Sequence, residues 1–221
     1  MAEPARSVKL LAALVVTSAL LTLLGHYGGP GLAWLVYVFK PLTIVLILLV
    51  ALLAPPGTST RYRRGVVVGL VFSLAGDVYL MLPWDHFVHG LACFLVAHCC
   101  YLAAFTERCR LFPRWEPVLA LAVLAGGVLA FLWPGLAPGL RAPVVIYVLA
   151  LSSMASQAVG RGMVLATPAA RSAAWSAGLF VLSDALLAVA RFREPFAAAT
   201  AAILVTYFAA QWGIARSVRS S

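Results

Sequence analysis

Eight apolar stretches, each close to twenty residues long, follow one another along this chain and leave almost nothing between them. A helix that crosses a bilayer needs roughly 20 mostly apolar residues. The stretches run over 8–25, 32–54, 65–83, 87–105, 116–133, 142–159, 172–190 and 196–215. With 63% hydrophobic and 10% charged residues, a chain of 221 residues has no core large enough to hide its apolar side chains from water, so bilayer lipid must be part of its solvent. Backbone polar groups cannot stay unpaired in hydrocarbon, which leaves helices or a closed barrel, and runs this long without period-2 alternation exclude the barrel. The expected fold is an all-α polytopic membrane helix bundle with eight transmembrane helices, in which residues 1–221 form a single integral membrane domain. The connectors are short and collect the Gly, Pro and Arg residues, as in "HYGGPG" and "APPGTSTRYRR". The first stretch has the basic start and apolar middle of a signal peptide but no small-residue cleavage site, and is read as the first span.

The formal net charge of +9 points first to topology. With the N-terminus inside, the inner segments carry Arg6, Lys9, Arg61, Arg63, Arg64, Arg108, Arg110, Arg114, Arg161, Arg171, Arg216 and Arg219, whereas the outer loops carry Arg141, Arg191 and Arg193. The excess of inner cations places both termini in the cytoplasm by the positive-inside rule. Ala and Arg are abundant and lysine is scarce, a usage that resembles high-GC bacteria, so a bacterial inner membrane is the expected location. The basic residues are scattered over short loops and form no nucleic-acid surface. Cys93, Cys99, Cys100 and Cys109 form no CxxC pair and are expected as free thiols.

Of the seven acids, five are terminal, in loops or at span ends. The other two, Asp77 in "GLVFSLAGDVYLML" and Asp184 in "GLFVLSDALLAV", lie inside spans three and seven. A carboxylate there costs on the order of 2.5 to 3.5 kcal/mol on insertion scales, and such residues are generally functional. Spans three and seven run in the same direction and place the two acids at similar depth. Their flanking text aligns, and "YLAAF" from Tyr101 in span four resembles "YFAAQ" from Tyr207 in span eight at nearly the same offset, which suggests a weak 4+4 internal repeat of parallel topology. Lys40, about 12 Å below the outer surface at 1.5 Å per residue, shares the layer of the two acids. His98 and Tyr101 are one turn apart and project from one face of span four. Arg191 lies two turns after Asp184, near the outer surface. Together they describe a polar cavity opening outward. Gly69, Gly76, Gly90 and Gly178 are expected where helices approach closely.

Two carboxyls in one poorly hydrated cavity divide into an acid and a base. Such a pair can protonate a substrate and activate water, as glycosidases do through an oxocarbenium-like transition state. A structural Lys–Asp ion pair is the plainest alternative reading of Lys40, and a packed histidine that of His98. An ion-coupled transporter also fits intramembrane acids and a repeat. A zinc-dependent lipid hydrolase needs three or four ligands, and the four histidines His26, His86, His89 and His98 offer no such set at legible spacing. No metal and no cofactor are expected.

The blocks "FKPLTIVLILL", "GLVFSLAGDVYLML", "HGLACFLVAHCCYLAAF" and "GLFVLSDALLAVARF" resemble the YhhN-like family of multi-pass membrane proteins, which includes lysoplasmalogenase, and the similarity spans nearly the whole chain. The resemblance implies hydrolysis of the vinyl ether bond of lysoplasmalogens (1-alkenyl-glycerophosphoethanolamine or -choline) to a fatty aldehyde and the glycerophospho head group. The partners it implies are a lysophospholipid substrate and membrane lipid. Carried onto matching positions, the family's polar residues fall on Lys40, Asp77, His98, Tyr101, Asp184 and Arg191. Asp77 and Asp184 are then the catalytic pair, and Lys40, His98, Tyr101 and Arg191 bind or orient the substrate.

Overall fold

A computed structural model describes residues 3–54 and 59–218. Eight α-helices account for nearly all of them: α1 (Glu3–Tyr27), α2 (Trp34–Leu52), α3 (Thr60–Met81), α4 (Phe87–Phe105), α5 (Trp115–Leu132), α6 (Pro138–Leu165), α7 (Pro168–Phe192) and α8 (Ala199–Ser217). No strand occurs among the described residues. Each expected span coincides with one helix. Several helices run past the apolar stretch because polar residues cap them: the Ser59 hydroxyl accepts from the Tyr62 amide at 3.3 Å at the start of α3, and Thr167 accepts from Ala170 at 3.2 Å ahead of Pro168 in α7. Of the cations assigned to the inner side, Arg219 lies outside the described residues.

Seven of the eight helices are long and apolar enough to cross a membrane, and α8 falls short. The reason lies in its surroundings. It packs against α7, α2, α1 and α3, and Tyr207, Gln211 and Ser217 on it are buried. A helix that spends its surface on neighbours needs less apolar surface for lipid. At the other extreme stands α5, which packs mainly on α6 and buries only Pro117 and Leu132, the rest being half-buried or exposed. It is the lipid-facing wall of the bundle.

The helix pairing repeats between the two halves. Within each half, α3 lies against α4 as α7 lies against α8, and α2 against α3 as α6 against α7. Between halves, α2 meets α8 and α6 meets α4. Gly69, Gly76 and Gly90 sit at the α3–α4 contact, where a Cβ on Gly76 would come within 2.6 Å of the Phe94 ring and one on Gly90 within 2.8 Å of Leu80. Gly178 does not: the space beside it is open, so its small size serves no helix contact. The four cysteines are free thiols, Cys99 exposed and the others half-buried.

Candidate active site

Asp77 is four residues from the end of α3 and only 2% exposed. Two groups from other helices satisfy it. Lys40 on α2 places its ammonium 3.0 Å from Oδ1, and Tyr207 on α8 donates its hydroxyl to Oδ2 at 2.6 Å. Lys40 is followed by Pro41 inside α2. A proline there has no N–H to give the preceding turn, so the helix tolerates this site only with local adjustment next to the lysine.

Asp184 on α7 has a different set of partners. The Tyr147 hydroxyl on α6 donates to its Oδ2, and His98 on α4 holds Nε2 3.0 Å from the Tyr147 oxygen and 3.7 Å from the carboxylate. Among the described residues Nδ1 of this fully buried imidazole has no hydrogen-bond partner. A buried bare lone pair costs less than a buried unpaired N–H, so the ring proton belongs on Nε2. A chain of donors then runs from His98 through Tyr147 to Asp184.

Both carboxyls line one cavity of about 150 Å³ among α2 to α8, together with Lys40, Tyr147, Ser183 and Tyr207. A single water needs roughly a tenth of that space. The rest of the wall is apolar, with Phe94, Leu121, Leu124 and Val128 among its members, and α5 contributes much of the apolar end. The arrangement combines two acids and one cation with a greasy compartment, which suits an amphiphile whose reactive bond lies between a polar and an apolar part.

The structure brings some of the expected residues together and leaves others apart. Lys40, Asp77 and Asp184 share the cavity. His98 stands behind Asp184, packed edge-on against Phe180 at 4.8 Å, and reaches the cavity through Tyr147. Tyr101 is also one step removed: it donates to Gln211 at 2.8 Å, and the Gln211 amide donates to the Tyr207 oxygen at 3.2 Å. Arg191 does not line the cavity. Both oxygens of Asp85 accept from its guanidinium at 2.8 Å, and it stacks 4.2 Å above the Phe87 ring in a neighbouring surface recess. Among the described residues no three His, Cys, Asp or Glu side chains converge as a metal site would require.

Tyr147, Tyr207 and Gln211 were missed by sequence reasoning, although one signal existed for the first. Lys40 precedes Asp77 by 37 residues, and Tyr147 precedes Asp184 by the same 37. The internal repeat thus superposes the lysine on a tyrosine. The two acids also exchange partners across the halves: Asp77 takes Lys40 from its own half and Tyr207 from the other, while Asp184 takes Tyr147 from its own half and the imidazole of His98 from the other.

The model of the YhhN family matches residues 35–218. The chain belongs to the YhhN family. It is 32% identical over 204 residues to the uncharacterized membrane protein YhhN of Escherichia coli O157:H7, covering 92% of this chain and 96% of that protein. It is 35% identical over 169 residues to a lysoplasmalogenase of Mycobacterium tuberculosis, covering 73% of this chain and 62% of that protein. It is 34% identical over 182 residues to human lysoplasmalogenase TMEM86B, covering 81% and 74%. No solved structure matches. The YhhN match takes in α2 to α8, the helices that supply every cavity residue described above.

Proposed function

We propose that this integral membrane protein is a lysoplasmalogenase-type hydrolase that cleaves the vinyl ether bond of 1-alkenyl lysophospholipids. The observation that carries the reading is that two aspartates from separate helices line one largely apolar cavity, one of them paired with a lysine and the other with neutral donors. The lysoplasmalogenase names of related family members support the same reaction class.

Hydrolysis of an enol ether begins when an acid gives its proton to the β-carbon, turning the C=C π pair into a C–H bond and leaving an oxocarbenium ion at the α-carbon. A nearby carboxylate stabilises that cation and takes a proton from the water that attacks it. The hemiacetal then breaks its bond to the glycerol oxygen, which leaves with a proton, and the fatty aldehyde remains. Asp77 has a cation against it that balances a carboxylate charge, whereas Asp184 has a hydroxyl and an imidazole. We assign Asp184 as the proton donor and Asp77 as the carboxylate that faces the oxocarbenium ion and activates water. The His98–Tyr147 chain holds Asp184 in place, and the Gln211–Tyr207 chain holds Asp77. Such acid–base groups contribute typically 10²–10⁴-fold each.

The test is aldehyde release from a 1-alkenyl lysophosphatidylethanolamine by purified protein in detergent. Asp77→Asn and Asp184→Asn are each expected to lower turnover by at least about 10²-fold while the protein still elutes as the wild type does. Substantial activity in either variant removes the assignment. The same reading puts both termini in the cytoplasm of an inner membrane, since eight crossings return the chain to its starting side. A C-terminal fluorescent fusion is expected to glow and an alkaline phosphatase fusion after Gly135 to be active; the reverse pattern would invert the orientation.

A further inference from the structure

A second recess, of about 550 Å³, opens at the end of the bundle where α1 finishes and α2 begins, and is lined by Gly25, His26, Gly29, Tyr37, Lys40 and Leu80, among others. Two of these, Lys40 and Leu80, also line the cavity of the aspartates. The lysine therefore stands between them: its ammonium meets Asp77 at 3.0 Å, and the residue also lines the recess. His26 on α1 and Lys40 on α2 line this recess together. The recess wall includes no acid.

From this geometry we infer that the recess is the subsite for the phosphodiester of the lysophospholipid head group, held by His26 and Lys40. The inference rests on the lysophospholipid reading above. An anion in this position would lie at the polar end of the bundle, with the glycerol leading past Lys40 and the vinyl ether reaching the two aspartates. The chain would then lie along the apolar wall built by α5. The competing position is the recess at Arg191, which also adjoins the cavity through Leu80 and Phe87. There one guanidinium nitrogen, Nη2, already donates to both oxygens of Asp85, and an incoming phosphate would have to approach that carboxylate. Asp85 is part of the wall of the Arg191 recess itself, whereas Asp77, the acid paired with Lys40, lines the neighbouring cavity and not the recess of His26 and Lys40, so an anion meets less like charge in this recess. It is also held in shape. The hydroxyl of Tyr27, next to His26, accepts from the Ala201 amide at 3.1 Å and donates to the Ala197 carbonyl, pinning the end of α1 to the start of α8. Preorganisation of this kind lowers the cost of binding.

Two uncleavable ligands of equal chain length separate the head-group question from catalysis: 1-O-alkyl lysophosphatidylethanolamine and 1-O-alkylglycerol, which lacks the phosphate. Binding is followed by thermal stabilisation and by tryptophan fluorescence of the purified protein in detergent. The wild type is expected to prefer the phospholipid, and His26→Leu to lower that preference by roughly fivefold, about the size of one charge-assisted hydrogen bond. Equal binding of both ligands by the wild type, or an unchanged preference in His26→Leu, would overturn the inference. So would a preference lost in Arg191→Gln and kept in His26→Leu, which would move the anion to the other recess. Inorganic phosphate at about millimolar concentration is expected not to displace the phospholipid; displacement would show a free-anion site instead. If the preference behaves as expected while no aldehyde is released from the vinyl ether substrate, the hydrolase reading falls and the subsite stands.

Discussion

Lys40 and Asp77 face each other with side chains 12% and 3% exposed, so neither charge has much water to fall back on. A buried ion pair of this sort returns little net stability, because desolvation consumes most of the attraction, yet breaking it from one side strands the other charge. Lys40→Met is therefore expected to destabilise the protein by about 3 to 5 kcal/mol. The double variant Lys40→Met/Asp77→Asn should recover most of that loss, since it removes both charges and leaves Tyr207 an amide oxygen to bond. Thermal unfolding in detergent measures the cycle; additive losses in the double variant would mean that the pair does not carry the coupling. Neither variant should release aldehyde, which separates stability from catalysis at the same position. The pair was legible in the sequence because a lone charge stands out in an apolar helix. Tyr207 was not, because a tyrosine in a membrane helix carries no charge and packs as readily as it hydrogen-bonds, and Tyr147 was marked only by its place 37 residues before Asp184.

Helix α3 owes its fit to small residues. On its face toward α4, Gly65, Gly69 and Gly76 let Ala104, the Tyr101 ring and the Phe94 ring come close. Gly76→Ala would drive a Cβ to 2.6 Å from Phe94, and since Gly76 immediately precedes Asp77, the displaced helix would carry the carboxylate with it. A loss of about 1 to 3 kcal/mol is expected from overpacking, with a fall in turnover. Gly178→Ala provides the contrast: nothing lies within 4 Å of the added methyl, and removing a helix-interior glycine should gain up to about 1 kcal/mol. Unfolding midpoints of the two variants in the same detergent test the pair, and equal effects would contradict the packing described. Gly178 was misread from sequence for a definite reason. Hydrophobic length tells where a helix is, but a helix that is apolar all round does not reveal which side meets a neighbour and which meets lipid. Helix positions were legible for that same reason, and α8 shows the limit of apolarity as a guide, because its burial against four helices frees it to carry the buried Gln211 and Ser217.

At the scale of the whole molecule, the two acids are built by both halves together. A shift of 107 residues carries Lys40 onto Tyr147 and Asp77 onto Asp184, and it also carries the buried Ile44, Ile47 and Ala51 of α2 onto the buried Leu151, Met154 and Ala158 of α6. The repeat therefore preserves the buried stripe while changing the group that faces each acid from an ammonium to a hydroxyl. Asp77 thus meets an ammonium and a hydroxyl, whereas Asp184 meets a hydroxyl and an imidazole, an inequality that a symmetric site could not provide. Because α8 completes Asp77 and α4 brings His98 to Asp184, neither half contains a finished site. Cutting the chain in the α4–α5 connector, between Arg110 and Leu111, should give two fragments that are inactive alone. Expressed together in one membrane, they are expected to reassociate through the α4–α6, α2–α8, α1–α8 and α3–α8 contacts that cross the cut. Aldehyde release should return with them, and a Tyr207→Phe change in the second fragment should lower it although Asp77 resides in the first. Activity from either fragment alone would show that one half carries a complete site, and the partner exchange would then have no part in the reaction.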